Sequence, residues 1–275
     1  MIKLIAIDMD GTLLNSQKEV PKENIAALHQ AVEKGVKVVI CTGRPKSGVV
    51  SIFDQLGLDG EEEYAILDNG CTIYKTKDWS LLAHQSLSQE DMALLAESGK
   101  DYPDISVTYF DSDHYYILGE DVPELVTYDA ALVFTTPTPT TLEHVQNSSI
   151  PIFQGMFMGE APALDRFQEE QGDKLSQHFS TVRSQSYIYE AMPKGTTKAS
   201  ALARLAETLG LEAEEVMAIG DAANDLEMLS FAGVSVAMGN ASEEVKAICD
   251  HVTASNDEAG VARAIEELVL AAENH

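Results

Sequence analysis

Short apolar runs that stop at an acidic or polar residue, alternating with stretches of helical periodicity, recur near both ends of this chain, and that rhythm narrows the fold more than any other feature. Ile2–Ile7 stops at Asp8, and a helical pattern follows from about Lys22 to Lys34. Val36–Cys41 reads as the next strand, then come a helical stretch near Ser47–Leu56, a strand at Ala65–Leu67 and a turn at Asp68–Gly70. Near the C-terminus the pattern returns: helix Lys198–Leu209, strand Val216–Ile219, helix Asp225–Ala232, strand Val234–Ala237 and a terminal helix over about Gly260–Ala272. Strand and helix in alternation give an α/β fold with a parallel sheet. Between the two halves Tyr, Thr and Pro become common, and Pro137–Thr141 reads as a loop or helix start. Met156 and Met158 alternate along a strand with one buried face. The expected organisation is a core of residues 1–84 and 188–275, interrupted by an α+β domain over 85–187.

In an open parallel sheet, ligands bind beyond the carboxyl ends of the strands. Asp8 and Asp10 follow the first strand, Thr42 the second, Asp68 and Asn69 the third, and Asp221, Asn224 and Asp225 the strand at Val216–Ile219. Taken singly, each is explained as a turn former or helix cap. Capping does not require Asp-x-Asp-Gly-Thr, an isolated lysine and Gly-Asp-x-x-Asn-Asp to occur together.

Charge removes several classes of function. The 275 residues carry a formal charge of −27, which repels nucleic acid and anionic membrane surfaces, so neither is an expected partner. A small anionic substrate remains compatible, because local cations and backbone N–H groups make one pocket positive within a negative field. The short apolar start does not resemble a signal peptide, and no stretch approaches membrane-spanning length, so a cytoplasmic protein is expected. Cys41, Cys71 and Cys249 lie too far apart for a Cys-x-x-Cys site and read as small buried hydrophobes. The seven histidines show no ligand-like pairing, and Glu61–Glu63 reads as a solvated turn.

Four segments in order, DMDGTLL at Asp8–Leu14, CTGR at Cys41–Arg44, KGTTK at Lys194–Lys198 and GDAAND at Gly220–Asp225, resemble the motifs of the haloacid dehalogenase-like superfamily. DNG at Asp68–Gly70, YIYEAMPKGTTKASAL at Tyr187–Leu202 and VSVAMGNASEEVK at Val234–Lys246 look more particularly like its Cof-type sugar-phosphate phosphatases. The resemblance implies a Rossmann-like core with an inserted C2-type cap that closes over the site. It also implies Mg²⁺-dependent hydrolysis of a small phosphorylated metabolite through an aspartyl phosphate.

Phosphoryl transfer suits these residues on chemical grounds. A carboxylate attacks phosphorus and divides the hydrolysis into two steps, which makes Asp8 the candidate nucleophile. Two anions repel, so the attack calls for a hard cation such as Mg²⁺. Asp8 and Asp221 would bind it through carboxylates, Asp10 through its carbonyl and Asp225 more remotely. Asp10 is the candidate general acid and base. Thr42, the N–H groups of Gly43 and Met9, and Lys198 would hold phosphate oxygens, with Asn224 added by the family resemblance. Arg44, Asn69 and Gly70 are candidates to border the substrate; Lys194 reads as a loop lysine. A phosphomutase and a phospho-metabolite sensor without turnover are the competing readings, and the oligomeric state is left open.

Overall fold

The computed structural model describes residues 1–58 and 62–271. Glu61, Ala272 and His275 therefore lie outside the described residues. In chain order the elements are β1 (Leu4–Asp8), α1 (Lys22–Glu33), β2 (Lys37–Cys41), α2 (Val50–Asp54), β3 (Tyr64–Leu67), β4 (Thr72–Lys75) and β5 (Ser80–His84). They continue with α3 (Gln89–Gly99), β6 (Ser106–Phe110), β7 (Tyr115–Leu118), α4 (Glu124–Leu132), β8 (Pro137–Thr140) and α5 (Leu142–Gln146). Next are β9 (Gln154–Met158), α6 (Ala161–His178), β10 (Phe179–Gln185) and β11 (Ile188–Pro193). The chain ends with α7 (Lys198–Leu209), β12 (Val216–Gly220), α8 (Leu226–Phe231), β13 (Val234–Ala237), α9 (Glu243–Ile248), β14 (His251–Val252) and α10 (Gly260–Ile265).

The chain divides into two compact units. Met1–Thr42, Ser51–Ala83 and Lys198–His275 form the first; Gly43–Val50 and His84–Thr197 form the second. The first holds a sheet in the order β14-β13-β12-β1-β2-β3-β4-β5. Its centre is parallel: β1 pairs with β12 on one side and β2 on the other, with Ile7 opposite Ile219 and Asp8 opposite Cys41. Every residue of β1 and β12 is buried, as expected of parallel strands covered on both faces. Helix α1 buries Asn24, Ala27, Leu28 and Ala31, and α7 buries Ala201, Leu202, Leu205 and Ala206, the spacing of one helical face.

The second unit holds a sheet in the order β10-β11-β9-β6-β7-β8. Its strand β9 is buried on both faces. Phe157 joins Leu95, Val107, Phe167 and Tyr189 in one core. Met156 and Met158 share the opposite face with Phe110, Tyr115, Ile117 and Val126, as their alternation predicts.

Four expectations need correction. The insert does not stop at 187, because β11 pairs with β9 and β10 and carries the second unit to Thr197. Pro137–Thr140 is a strand rather than a loop; it pairs with β7 at the sheet edge, where a missing proline N–H costs no ladder bond, and Thr141 then caps α5. The helix expected over Ser47–Leu56 is reduced to a turn at Lys46–Gly48 and the short α2, divided at Val49, whose φ of −122° is not helical. Glu63 is buried rather than solvated: its carboxylate accepts the Val38 N–H and lies 3.5 Å from Lys37 Nζ. The terminal helix begins at Gly260 as predicted but widens into a π-helical turn at Glu266–Leu270. Among the described residues no helix is long and apolar enough to cross a membrane.

Candidate active site

Asp8 ends β1, and the adjacent strand β12 ends at Gly220, so Asp221 leaves the sheet beside it. Lys198 opens α7 and reaches both Asp8 Oδ1, at 2.6 Å, and Asp225 Oδ1, at 2.8 Å. The Lys198 side chain is 1% exposed and those of Asp8 and Asp225 are 7% and 0%, so these ion pairs lie within the protein. The second oxygen of Asp225 accepts the backbone N–H groups of Asp221 and Ala222, 3.1 Å each, which locks the GDAAND turn. Gly220 permits that closure: a Cβ there would meet the Asp225 carboxylate at 2.7 Å.

One ammonium faces more than one carboxylate. Asp8, Asp221 and Asp225 each place an oxygen within 4.8 Å of the others. Burial, followed by the charge of Asp225, pushes the Asp8 carboxyl well above the usual carboxylate range, and Lys198 only partly opposes this. Burial and Asp225 likewise raise Asp221. Burial alone would discourage the Lys198 ammonium, but Asp225 and Asp8 reverse that and hold it above an ordinary lysine. An oxygen-only donor set with surplus negative charge fits a hard divalent cation.

Asp10 sits in the turn after β1, where its Oδ1 accepts from Lys18 Nζ at 2.8 Å with about a third of its side chain exposed. Gly11 has a φ of +82°, and a Cβ on it would lie 2.4 Å from Asp221 Oδ2, so the turn tolerates only glycine. Thr12 donates its hydroxyl to Asp221 Oδ1 at 3.0 Å. Met9 is fully buried, and its carbonyl accepts the N–H of Leu14 at 2.9 Å.

Thr42 is buried directly after β2, and its carbonyl accepts the Asn69 N–H at 3.1 Å. Asp68 and Asn69 both have positive φ, 51° and 54°, an unusual succession for residues with side chains. Asp68 Oδ2 accepts the Thr72 hydroxyl at 3.0 Å, which ties this turn to β4. Asn224 is half-buried ahead of α8. Gly43 and Arg44 belong to the second unit. There Arg44 donates to Gly48 O at 3.3 Å, and its charge partly offsets the burial that raises the Asp129 carboxyl. Lys194 also belongs there and donates to Ser176 O. Cys41 and Cys71 are buried and Cys249 is half-buried, and among the described residues none of them is in a disulfide.

The model of the haloacid dehalogenase-like hydrolases matches residues 5–265. The chain belongs to that family. YxeH of Bacillus subtilis (strain 168) is 38% identical to this haloacid dehalogenase-like hydrolase over 273 residues, covering 98% of it and all of the relative. The B. subtilis 5-amino-6-(5-phospho-D-ribitylamino)uracil phosphatase YwtE is 32% identical over 292 residues, covering 98% of each chain. A crystal structure of a haloacid dehalogenase-like hydrolase from Bacteroides thetaiotaomicron superposes with a TM-score of 0.86 at 33% identity, over 97% of this chain and 99% of that one.

Sequence reasoning missed the side chains that hold this hydrolase's first turn. Asn24 donates to Leu13 O at 3.2 Å and accepts the Ala262 N–H, joining α1, the turn and α10. Asn256 donates to Leu14 O at 2.9 Å, and Asp257 accepts from the Ser16 N–H and hydroxyl. Single asparagines in polar segments carry no local signal, since one partner of each, Ala262 for Asn24 and Leu14 for Asn256, lies more than two hundred residues away. Thr12 was legible inside DMDGTLL, but its hydrogen bond to Asp221 was not.

Proposed function

We propose that this protein is a Mg²⁺-dependent phosphoric monoester hydrolase that works on small phosphorylated metabolites through an aspartyl phosphate on Asp8. One observation carries the reading: a buried lysine bridges two carboxylates at the carboxyl edge of a parallel sheet, with a third carboxylate beside them. Family membership and a phosphatase relative support it.

In this reading an Asp8 oxygen bonds to phosphorus as the ester P–O bond breaks, and Asp10 gives its proton to the departing alkoxide. Asp10 then takes a proton from the water that attacks the acyl phosphate, so inorganic phosphate leaves and Asp8 is restored. A bound Mg²⁺ would neutralise the approaching phosphate, held by the carboxylates of Asp8 and Asp221 and the Asp10 carbonyl, with Asp225 in support. Lys198 opposes the protonation that burial favours at Asp8 and orients its carboxylate for attack. Thr42, the N–H groups of Met9 and Gly43, and Asn224 are assigned to phosphate oxygens; Arg44, Asn69 and Gly70 are assigned to the border of the leaving group. Sugar and polyol phosphates are the favoured substrates, in keeping with the phosphoribityl compound in the name of YwtE.

The test is phosphate release from a panel of sugar, polyol, nucleotide and pyridoxal phosphates, with Mg²⁺ and with EDTA, for the parent and Asp8→Asn. Release should require Mg²⁺ and vanish in the variant. Undiminished release from Asp8→Asn would remove the nucleophile assignment.

A further inference from the structure

The turn that carries Asp10 is held from outside by a segment far along the chain. Asn240, between β13 and α9, donates Nδ2–H to Gly11 O at 2.9 Å across 229 residues of sequence. Its Oδ1 accepts the Asn256 N–H at 3.0 Å, and Asn256 in turn donates to Leu14 O. The N–H of Gly239 donates to Ala254 O at 2.9 Å, which docks the Asn240 loop on the segment that leads to Asn256. Asn240 at Gly11 and Asn256 at Leu14 therefore hold the two ends of the Gly11–Leu14 stretch, and the bond between them joins the two holds.

We propose that Asn240 is a positioning residue for phosphoryl transfer, fixing the Gly11–Thr12 peptide and through it the aim of the Asp10 carboxyl at the leaving oxygen. The inference rests on the reading of Asp8 and Asp10 given above. Gly11 is the conformationally freest residue of the turn, with a positive φ and no Cβ to restrict it. It also lies directly between Asp10 and Thr12, the donor to Asp221. A rotation of its carbonyl would move both groups, and Asn240 opposes that rotation. Asn240 is itself exposed, so solvent competes for its hydrogen bonds and their contribution to folding is small. Geometry accounts for its place better than stability does. Asn256, 8% exposed, is the buried member of the pair and the one whose loss would unsettle the fold.

The experiment compares Asn240→Ala and Asn240→Asp with the parent in single-turnover release of alcohol, using two esters. A hexose phosphate needs its alkoxide protonated as it leaves, whereas p-nitrophenyl phosphate releases a stable anion. Misaim of Asp10 should slow the hexose ester about tenfold and the aryl ester less than about twofold, with KM and melting temperature unchanged. Asn240→Asp keeps an acceptor for the Asn256 N–H but loses the donor to Gly11, so it should show the same selective loss. Equal slowing on both esters would make Asn240 a general structural support and overturn the proposal. Parent-like rates in either variant would overturn it as well. If the parent shows no Asp8-dependent release, the reading of the site falls and this inference falls with it; parent activity with unaffected variants removes the inference alone.

Discussion

Replacing Lys198 with methionine would leave Asp8 and Asp225 facing each other inside the protein without their shared cation. The lysine side chain is 1% exposed and its carboxylate partners 7% and 0%, so water cannot take its place without opening the fold. Removing one member of a buried pair costs about 3–5 kcal/mol, because the remaining charge is left uncompensated. For a unit of this size that corresponds to a melting temperature lower by roughly 10 °C. Protonation limits the loss. Burial and Asp225 already raise the Asp8 carboxyl, and without Lys198 it rises further in the folded state. A carboxyl raised on folding contributes stability that is complete below the unfolded pKa and is lost as pH rises through the folded one. The gap between parent and variant must therefore widen with rising pH and narrow on acidification. Calorimetric melting in EDTA, from about pH 5 to about pH 8, measures this directly. A Lys198→Met protein that melts with the parent throughout, or whose deficit grows on acidification, would refute the electrostatic account of the site.

Two further changes probe the turn and the second unit. Gly11→Ala demands a left-handed alanine, costing about 1–2 kcal/mol, and drives a Cβ into the Asp221 carboxylate at 2.4 Å. A Mg²⁺ titration of phosphate release should show a higher metal requirement; an unchanged midpoint would separate Gly11 from the metal ligands. Asp129 in the second unit is raised by burial, with Tyr115 donating to it at 3.0 Å. By the same sign it costs stability once pH passes above its folded pKa. Asp129→Asn should therefore gain melting temperature over the parent at neutral pH, with the gain vanishing below the ordinary carboxylate range, and a constant offset across pH would show that ionisation is not responsible.

Legibility in the sequence followed how local the physics was. The β1 and β12 strands were readable because a buried parallel strand is a continuous apolar run, and Asp8 and Asp221 because each follows such a run directly. The convergence of Asp8, Lys198 and Asp225 could be expected from motif order, but Asp225's second oxygen closing the turn at Asp221 and Ala222 is a detail of backbone geometry. Asn24, Asn240 and Asn256 were invisible because each has a partner at the opposite end of the chain. The edge strand at Pro137–Thr140 was misread for a related reason: proline disfavours a strand unless its neighbour is absent on one side, and only sheet order reveals that. Glu63 misled because a backbone N–H on β2 takes up its charge.

The assignment of Gly43–Val50 to the second unit bears on how such an enzyme could be recombined. In sequence the insertion looks like one cassette over 85–187, and the structure extends its long segment to His84–Thr197. In space it has a second, smaller piece: Gly48 packs so closely on Val133 that a Cβ would approach it to 3.1 Å, and Lys46 pairs with Asp113 at 3.6 Å. A chimera that transplants only the long segment from a relative would set a foreign partner against Gly48 and Lys46, in the loop directly following Thr42. The unit of exchange is discontinuous, and substitutions in those eight residues are tied to changes more than sixty positions away.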